Sequence, residues 1–94
     1  MSELERHIGL FLDELKRENA SPHTVRAYAS DLRQFVEYFS PKGAEPPAPA
    51  AFDTLALREW LGDLYSRRLA PHSLRRKLAA VRAFFTFLMR RGLV

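Results

Sequence analysis

Apolar residues along this chain fall into four stripes separated by breaks, and each stripe has the spacing of one face of a helix. Leu4, Ile8, Phe11, Leu12 and Leu15 step by four, three, one and three residues, so a first helix is expected from Ser2 to about Asn19. Ser21 followed by Pro22 reads as an N-cap with proline in the first turn, where its missing N–H costs nothing. A second helix, 21–39, carries Val25, Tyr28, Leu32, Phe35, Val36 and Phe39 inward until Ser40, Pro41 and Gly43 break the pattern. From Pro41 to Ala51 the residues are almost only Pro, Ala, Gly and single charges. That composition packs poorly and favours an extended connector, so 40–53 is expected to link two helical hairpins.

A third start follows at Phe52 and Asp53, where Asp53 can cap the free N–H groups and Phe52 can staple onto Leu57. The expected helix, 54–67, turns Leu57, Trp60, Leu61, Leu64 and Tyr65 inward and ends on Arg67 and Arg68, charges that suit a helix C-terminus. The fourth, 71–91, opens at Pro71 and places Leu74, Leu78, Val81, Phe85 and Leu88 on its inner face before Gly92 stops it. Ala70 is a poor cap, partly offset by a staple between Leu69 and Leu74. In this phase His72 and Arg76 lie nearly opposite the core, Arg75 and Arg82 flank the stripe, and Ala79, Ala80 and Ala83 occupy the outer half. Two readings of those alanines stand: a wall of little bulk that lets the helix approach a groove, or simply good helix formers.

The second and fourth helices begin alike. Ser21-Pro22-His23-Thr24-Val25-Arg26 matches Ala70-Pro71-His72-Ser73-Leu74-Arg75, and Arg33 and Phe35 recur as Arg82 and Phe84, all at an offset of 49 residues. Either two proline-opened helices coincide, or both N-termini do the same work; helix starts with Ser, Thr, His and Arg in the first turn are natural places for phosphate.

Charge sharpens this picture. Met1 to Asp63 holds seven basic and eleven acidic residues, a balance of −4, whereas Leu64 to Val94 holds eight basic residues and no acid, a balance of +8; together they make the net +4. A cationic block of this kind points to nucleic acid or another polyanion, against the plainer reading of a solvated helix face. The 94 residues suffice for one domain, whose core the 47% of hydrophobic residues can fill without covalent help. With no cysteine there is no disulfide, thiolate metal site or Cys nucleophile, in keeping with a reducing cytosol. No apolar run approaches the roughly 18 residues of a membrane span, and Met1 to Arg6 is too acidic for a signal peptide. A cytoplasmic protein with no membrane partner is expected.

Catalytic chemistry would need clustered carboxylates, a nucleophile beside its base, or metal ligands, and none stands at useful spacing. His7, His23 and His72 sit in different helices without ligand-type partners three or four residues away, and four scattered glycines make no phosphate loop. No catalytic residue, metal or cofactor is expected.

Two stretches carry a resemblance. One is Ser21 to Tyr28 followed by Asp31-Leu32 and Phe35; the other is Leu69 to Leu78 leading into Val81-Arg82-Ala83-Phe84-Phe85 and Leu88. With these the whole chain resembles the N-terminal core-binding, or SAM-like, domain of tyrosine recombinases of the Xer and phage-integrase type. The proline-opened fourth helix and the Phe84-Phe85 pair look most like Xer members that resolve chromosome dimers, the C type among them. The resemblance implies an all-α, four-helix orthogonal bundle of two crossed helical hairpins that forms one half of a clamp around double-stranded DNA. It implies contact roles for Ser21, His23, Thr24 and Arg26 at one helix start, and for His72, Ser73, Arg75, Arg76 and Lys77 at the other; the helical projection of the fourth helix adds Arg82 as a candidate DNA contact. It also implies partners: sister recombinase protomers in a tetramer on DNA, and the catalytic domain of the same protein.

In such proteins the catalytic domain brings an arginine, a lysine, a His-x-x-Arg motif and the tyrosine nucleophile. Tyr28, Tyr38 and Tyr65 lack those flanking residues, so Tyr28 and Tyr65 are expected in the core and Tyr38 at the surface. The chain reaches Val94 where a linker to the catalytic domain would begin, which suggests a domain excised from a longer recombinase ahead of a natural stand-alone domain. A helical protein-interaction adaptor is the alternative. A helix-turn-helix regulator ranks third, because its helices are joined by a turn of roughly 3 to 4 residues and the connector here is far longer.

Overall fold

The computed structural model describes residues Met1 to Val94 and contains four α-helices and no strand. Helix α1 spans Glu3–Arg17, α2 Pro22–Phe39, α3 Thr54–Ser66 and α4 Pro71–Arg90. Each start has a local cause. At α1 the Glu5 N–H donates to Ser2 Oγ at 3.1 Å while the Ser2 N–H donates to Glu5 Oε1 at 3.1 Å, a reciprocal capping box. The Thr24 N–H donates to Ser21 Oγ at 3.1 Å at the start of α2, and the Ala56 N–H to Asp53 Oδ1 at 2.8 Å at the start of α3. Only α4 begins without a side-chain cap, at Ala70.

Helix α1 stops at Arg17, short of the expected Asn19, because Asn19 takes a left-handed φ of 63° and the Ala20 N–H turns back to the Leu15 carbonyl at 3.0 Å. Arg68 ends α3 in the same way with φ 53°, and Gly92 ends α4 with φ 67°. The connector differs from the expected extended linker. It holds two single 3₁₀ turns, Pro41–Gly43 and Pro49–Ala51, and the second packs against α1 with Pro49 fully buried. Phe52 then reaches into the bundle, its ring 4.8 Å from that of Phe39 and 5.3 Å from that of Phe35.

The core is one cluster. Leu4, Ile8 and Phe11 of α1, Leu32 and Phe35 of α2, Trp60 and Leu64 of α3, and Ala80, Val81, Phe84, Phe87 and Leu88 of α4 meet in it. Phe35 is wholly buried, with Phe39 and Trp60 each 5.0 Å away in edge-on geometry, and Phe84 sits 5.8 Å from Phe11. Two aromatic expectations are reversed. Tyr65 is 61% exposed, because α3 meets the bundle along the narrow Trp60–Leu64 seam and Tyr65 points off it, whereas Tyr38 packs on the core beside Phe39.

The largest departure is the phase of α4. Its buried face is Lys77, Ala80, Val81, Phe84, Phe87 and Leu88, with Leu74, Leu78 and Phe85 only partly covered. At 3.6 residues per turn this face is rotated by roughly 75° from the stripe read in the sequence. Ala80, expected outside, is completely buried. The rotation puts a lysine in the core, and the reason it is tolerated lies in α2.

Candidate nucleic-acid interface

Asp31 occupies a gap in the apolar stripe of α2 and is sealed from solvent, its side chain 0% exposed. An isolated buried carboxylate would be very costly, so it must be paired and hydrogen-bonded. Three donors reach it from α4: Arg76 Nε to Oδ2 at 2.9 Å, Arg76 Nη2 to Oδ1 at 3.1 Å, and Lys77 Nζ to Oδ1 at 3.1 Å. Lys77 Nζ also donates to Gln34 Oε1 at 2.7 Å, and Gln34 Nε2 to Ser30 Oγ at 3.4 Å. No buried side-chain nitrogen or oxygen in the molecule lacks a partner. The network ties α2 to α4 and makes the inward lysine possible.

Lys77, expected at the DNA surface, is therefore corrected to a buried strut: its ammonium is enclosed by Asp31 and Gln34. Arg76 is also moved. It lies at the flank of α4, its side chain 45% exposed, with one edge on Asp31. The hydrogen bonds to Asp31, and then its charge, hold the Arg76 pKa above its already high ordinary value, so the guanidinium is permanently cationic. One carboxylate facing two cations leaves this cluster with a net charge of +1.

With α4 in this phase, its outward ridge is Arg75, Ala79, Arg82, Thr86 and Arg90. A groove runs on each side. The one against α3, about 370 Å³, is lined chiefly by Leu57, Trp60, Leu61, Val81, Phe85 and Met89. The one against α1, about 350 Å³, is bounded by Phe11, Glu14, Leu15, Glu18, Ala79 and Ala83, and Arg82 stands at the edge of both. His72 is exposed and Ser73 half-buried in the first turn, whose free N–H groups meet no capping side chain.

The other helix start presents less. Ser21 and His23 are exposed, yet the Ser21 hydroxyl donates to Thr24 Oγ1 at 2.9 Å while accepting from the Thr24 N–H, so this turn closes on itself. Arg26 is exposed beside Lys16 in a groove of about 520 Å³ between α1 and α2.

The cationic block is smaller in space than in sequence. Of its eight basic residues, Arg67 pairs with Asp63, Arg76 and Lys77 with Asp31, and Arg91 with Glu14 at 2.5 Å. Arg68, Arg75, Arg82 and Arg90 are in no ion pair, and the last three lie along α4. The sequence reading named Asp31 only within the family pattern, without a role, and missed Gln34. The available signal was an acid between Tyr28 and Phe35 on an otherwise apolar face.

The profile of the phage-integrase N-terminal SAM-like domain matches residues 8–92. The chain belongs to that family. Among similar proteins, the tyrosine recombinase XerC of Oceanobacillus iheyensis is 36% identical across all of this chain and 30% of its own length. Tyrosine recombinase XerC of Pelobacter propionicus is 38% identical over all of this chain and 31% of its own, and that of Syntrophus aciditrophicus 39% over 94% of this chain and 29% of its own. The SAM-like chain thus spans about a third of the length of the curated relatives it matches. No solved structure matches it. No helix is long and apolar enough to cross a membrane, and no three His, Asp or Glu side chains are grouped to hold a metal ion.

Proposed function

We propose that this SAM-like domain is the DNA-binding N-terminal clamp domain of a site-specific tyrosine recombinase, acting in integration or chromosome-dimer resolution in the cytoplasm. The observation that carries the reading is the ridge of α4, where Arg75, Arg82 and Arg90 stand free of acidic partners around Ala79, next to a first turn with unsatisfied N–H groups. Long cations reach phosphates, a small residue lets the helix enter a groove, and first-turn side chains reach base edges. His72, Ser73, Arg75, Arg76 and Arg82 form the main contact set. Ser21, His23, Thr24 and Arg26 form a lesser one, and Lys77 supports the set from below without touching DNA. Strand cutting falls to the catalytic domain of the same protein, and sister protomers complete a tetramer on the duplex.

Titration of the domain with duplex carrying candidate core sites and with random duplex, at several salt concentrations, tests this. Log affinity should fall against log salt by roughly 0.9 for each phosphate neutralised. A domain with no measurable affinity for duplex at low salt would be an adaptor instead. A covalent protein–DNA adduct formed by this chain on a nicked substrate would refute the assignment of cutting to the rest of the protein.

A further inference from the structure

The way Arg76 is held carries information beyond a positive charge. A guanidinium has two hydrogen-bonding edges, and Asp31 takes the one formed by Nε and Nη2. The other edge, Nη1 with the remaining hydrogen of Nη2, makes no hydrogen bond within the protein, and the side chain is about half exposed. Clamped at a buried carboxylate that Lys77 and Gln34 hold in turn, the fork is fixed in plane as well as in position. A phosphate contact gains from charge and tolerates a mobile side chain, and it is poorly served by an anion 3 Å behind the guanidinium. A neutral edge with two coplanar acceptors gains from a fixed fork and loses little to that anion. In duplex DNA the major-groove edge of guanine, O6 with N7, has this form.

Accordingly, we propose that Asp31 is a positioning residue that presents the free edge of Arg76 to one guanine in the major groove, making this pair a specificity determinant. The proposal rests on the DNA-binding reading above, and the test separates the two. The 94-residue domain is taken through selection on a randomised duplex pool, followed by titration with the selected duplex and with the same duplex carrying 7-deazaguanine at the preferred position. The wild-type domain should prefer guanine at that position by roughly 5- to 150-fold, the span of one bidentate base contact. It should lose most of that preference when N7 is removed.

Arg76→Ala and Arg76→Lys should both abolish the preference. Asp31→Asn should abolish it too, lowering affinity for the selected duplex to that for duplex without the preferred guanine, while the salt slope stays at least as steep because a negative charge has been removed beside the interface. A role confined to folding would lower affinity for all sequences together with the melting temperature. Should Asp31→Asn alone not fold, Asp31→Asn with Lys77→Met removes the stranded buried charge and serves in its place. Asp31→Asn retaining the full guanine preference overturns the positioning role. Uniform loss of affinity across sequences in Arg76→Ala makes Arg76 a phosphate contact and overturns base readout while leaving DNA binding intact. No duplex binding by the wild-type domain at low salt overturns both readings.

Discussion

The starts of α2 and α4 share a sequence pattern and a backbone but not a chemistry. Ser21 has φ −62° and ψ 150°, Ala70 φ −59° and ψ 144°, and each leads into proline and histidine. The shared offset of 49 residues extends to burial, for Asp31, Leu32 and Phe35 are buried and so are Ala80, Val81 and Phe84. What differs is where the polar groups are spent. At α2 the serine hydroxyl closes the first turn. At α4 alanine leaves that turn open, and the next two positions, Arg76 and Lys77, replace Ala27 and Tyr28 of α2 and converge on Asp31. A common scaffold thus yields one start that mainly stabilises a helix and another that presents hydrogen-bond donors.

The largest effects are expected in the core, where the two helices are equivalent. Phe35→Ala and Phe84→Ala, at equivalent and fully buried positions, should each cost roughly 3 to 5 kcal/mol in denaturant unfolding. A Phe84→Ala loss below about 1 kcal/mol would mean that α4 has another phase.

Next comes the buried network. Asp31→Ala strands Lys77 in the core and should cost about 3 kcal/mol, the low end for a broken buried pair, because Arg76 stays partly hydrated. Adding Lys77→Met should recover much of that loss. If the double variant is no more stable than the single one, the lysine charge is not what Asp31 neutralises.

The caps give a smaller and opposite pair of effects. Ser21→Ala should destabilise by about 1 kcal/mol, whereas Ala70→Ser supplies the missing cap on a matching backbone and should stabilise by roughly 0.5 to 1 kcal/mol. The same hydroxyl would occupy an N–H group of the α4 start, so Ala70→Ser should also weaken duplex binding. A more stable variant with undiminished affinity would remove those N–H groups from the interface.

The smallest effect lies far from both starts. Hydrogen bonding from the Ser2 backbone and hydroxyl lowers the Glu5 pKa below its usual value. A depressed carboxylate stabilises the fold above its unfolded pKa and loses that contribution as pH falls through the folded value. The small difference in melting temperature between wild type and Glu5→Gln should therefore be present at neutral pH and vanish on acidification. A difference that persists unchanged in acid would contradict the linkage.

The four helices were legible because caps, prolines and periodic apolar residues are local signals. Val25, Leu32 and Phe35 are buried as the α2 stripe implies. The phase of α4 was not legible from α4 alone, since Phe84, Phe85 and Phe87 permit two stripes and the correct one contains Lys77. The 49-residue offset held the answer: transferring Val25, Tyr28, Leu32 and Phe35 gives positions 74, 77, 81 and 84. A lysine reads as outward until its carboxylate is known, and that carboxylate lies 46 residues away in sequence. The same non-local logic hid the packing of Pro49 and Phe52, whose partners are on α1, α2 and α4. Of the candidate contacts, the composition of the α4 start was readable, whereas the division of its cations into paired and free ones required the fold.

Under the proposed function, α4 and not α1 supplies the free charge for duplex DNA, and single-alanine titrations against one duplex over a range of salt decide whether it does. Arg75→Ala and Arg82→Ala, both exposed, should change stability by less than about 0.5 kcal/mol, lower duplex affinity, and reduce the salt slope by roughly one phosphate each. Arg6→Ala and Lys16→Ala, on the acidic surface of α1, should leave both nearly intact. Equal losses from the α1 and α4 variants, or an unchanged salt slope in Arg75→Ala and Arg82→Ala, would contradict the assignment of α4 as the DNA-facing helix.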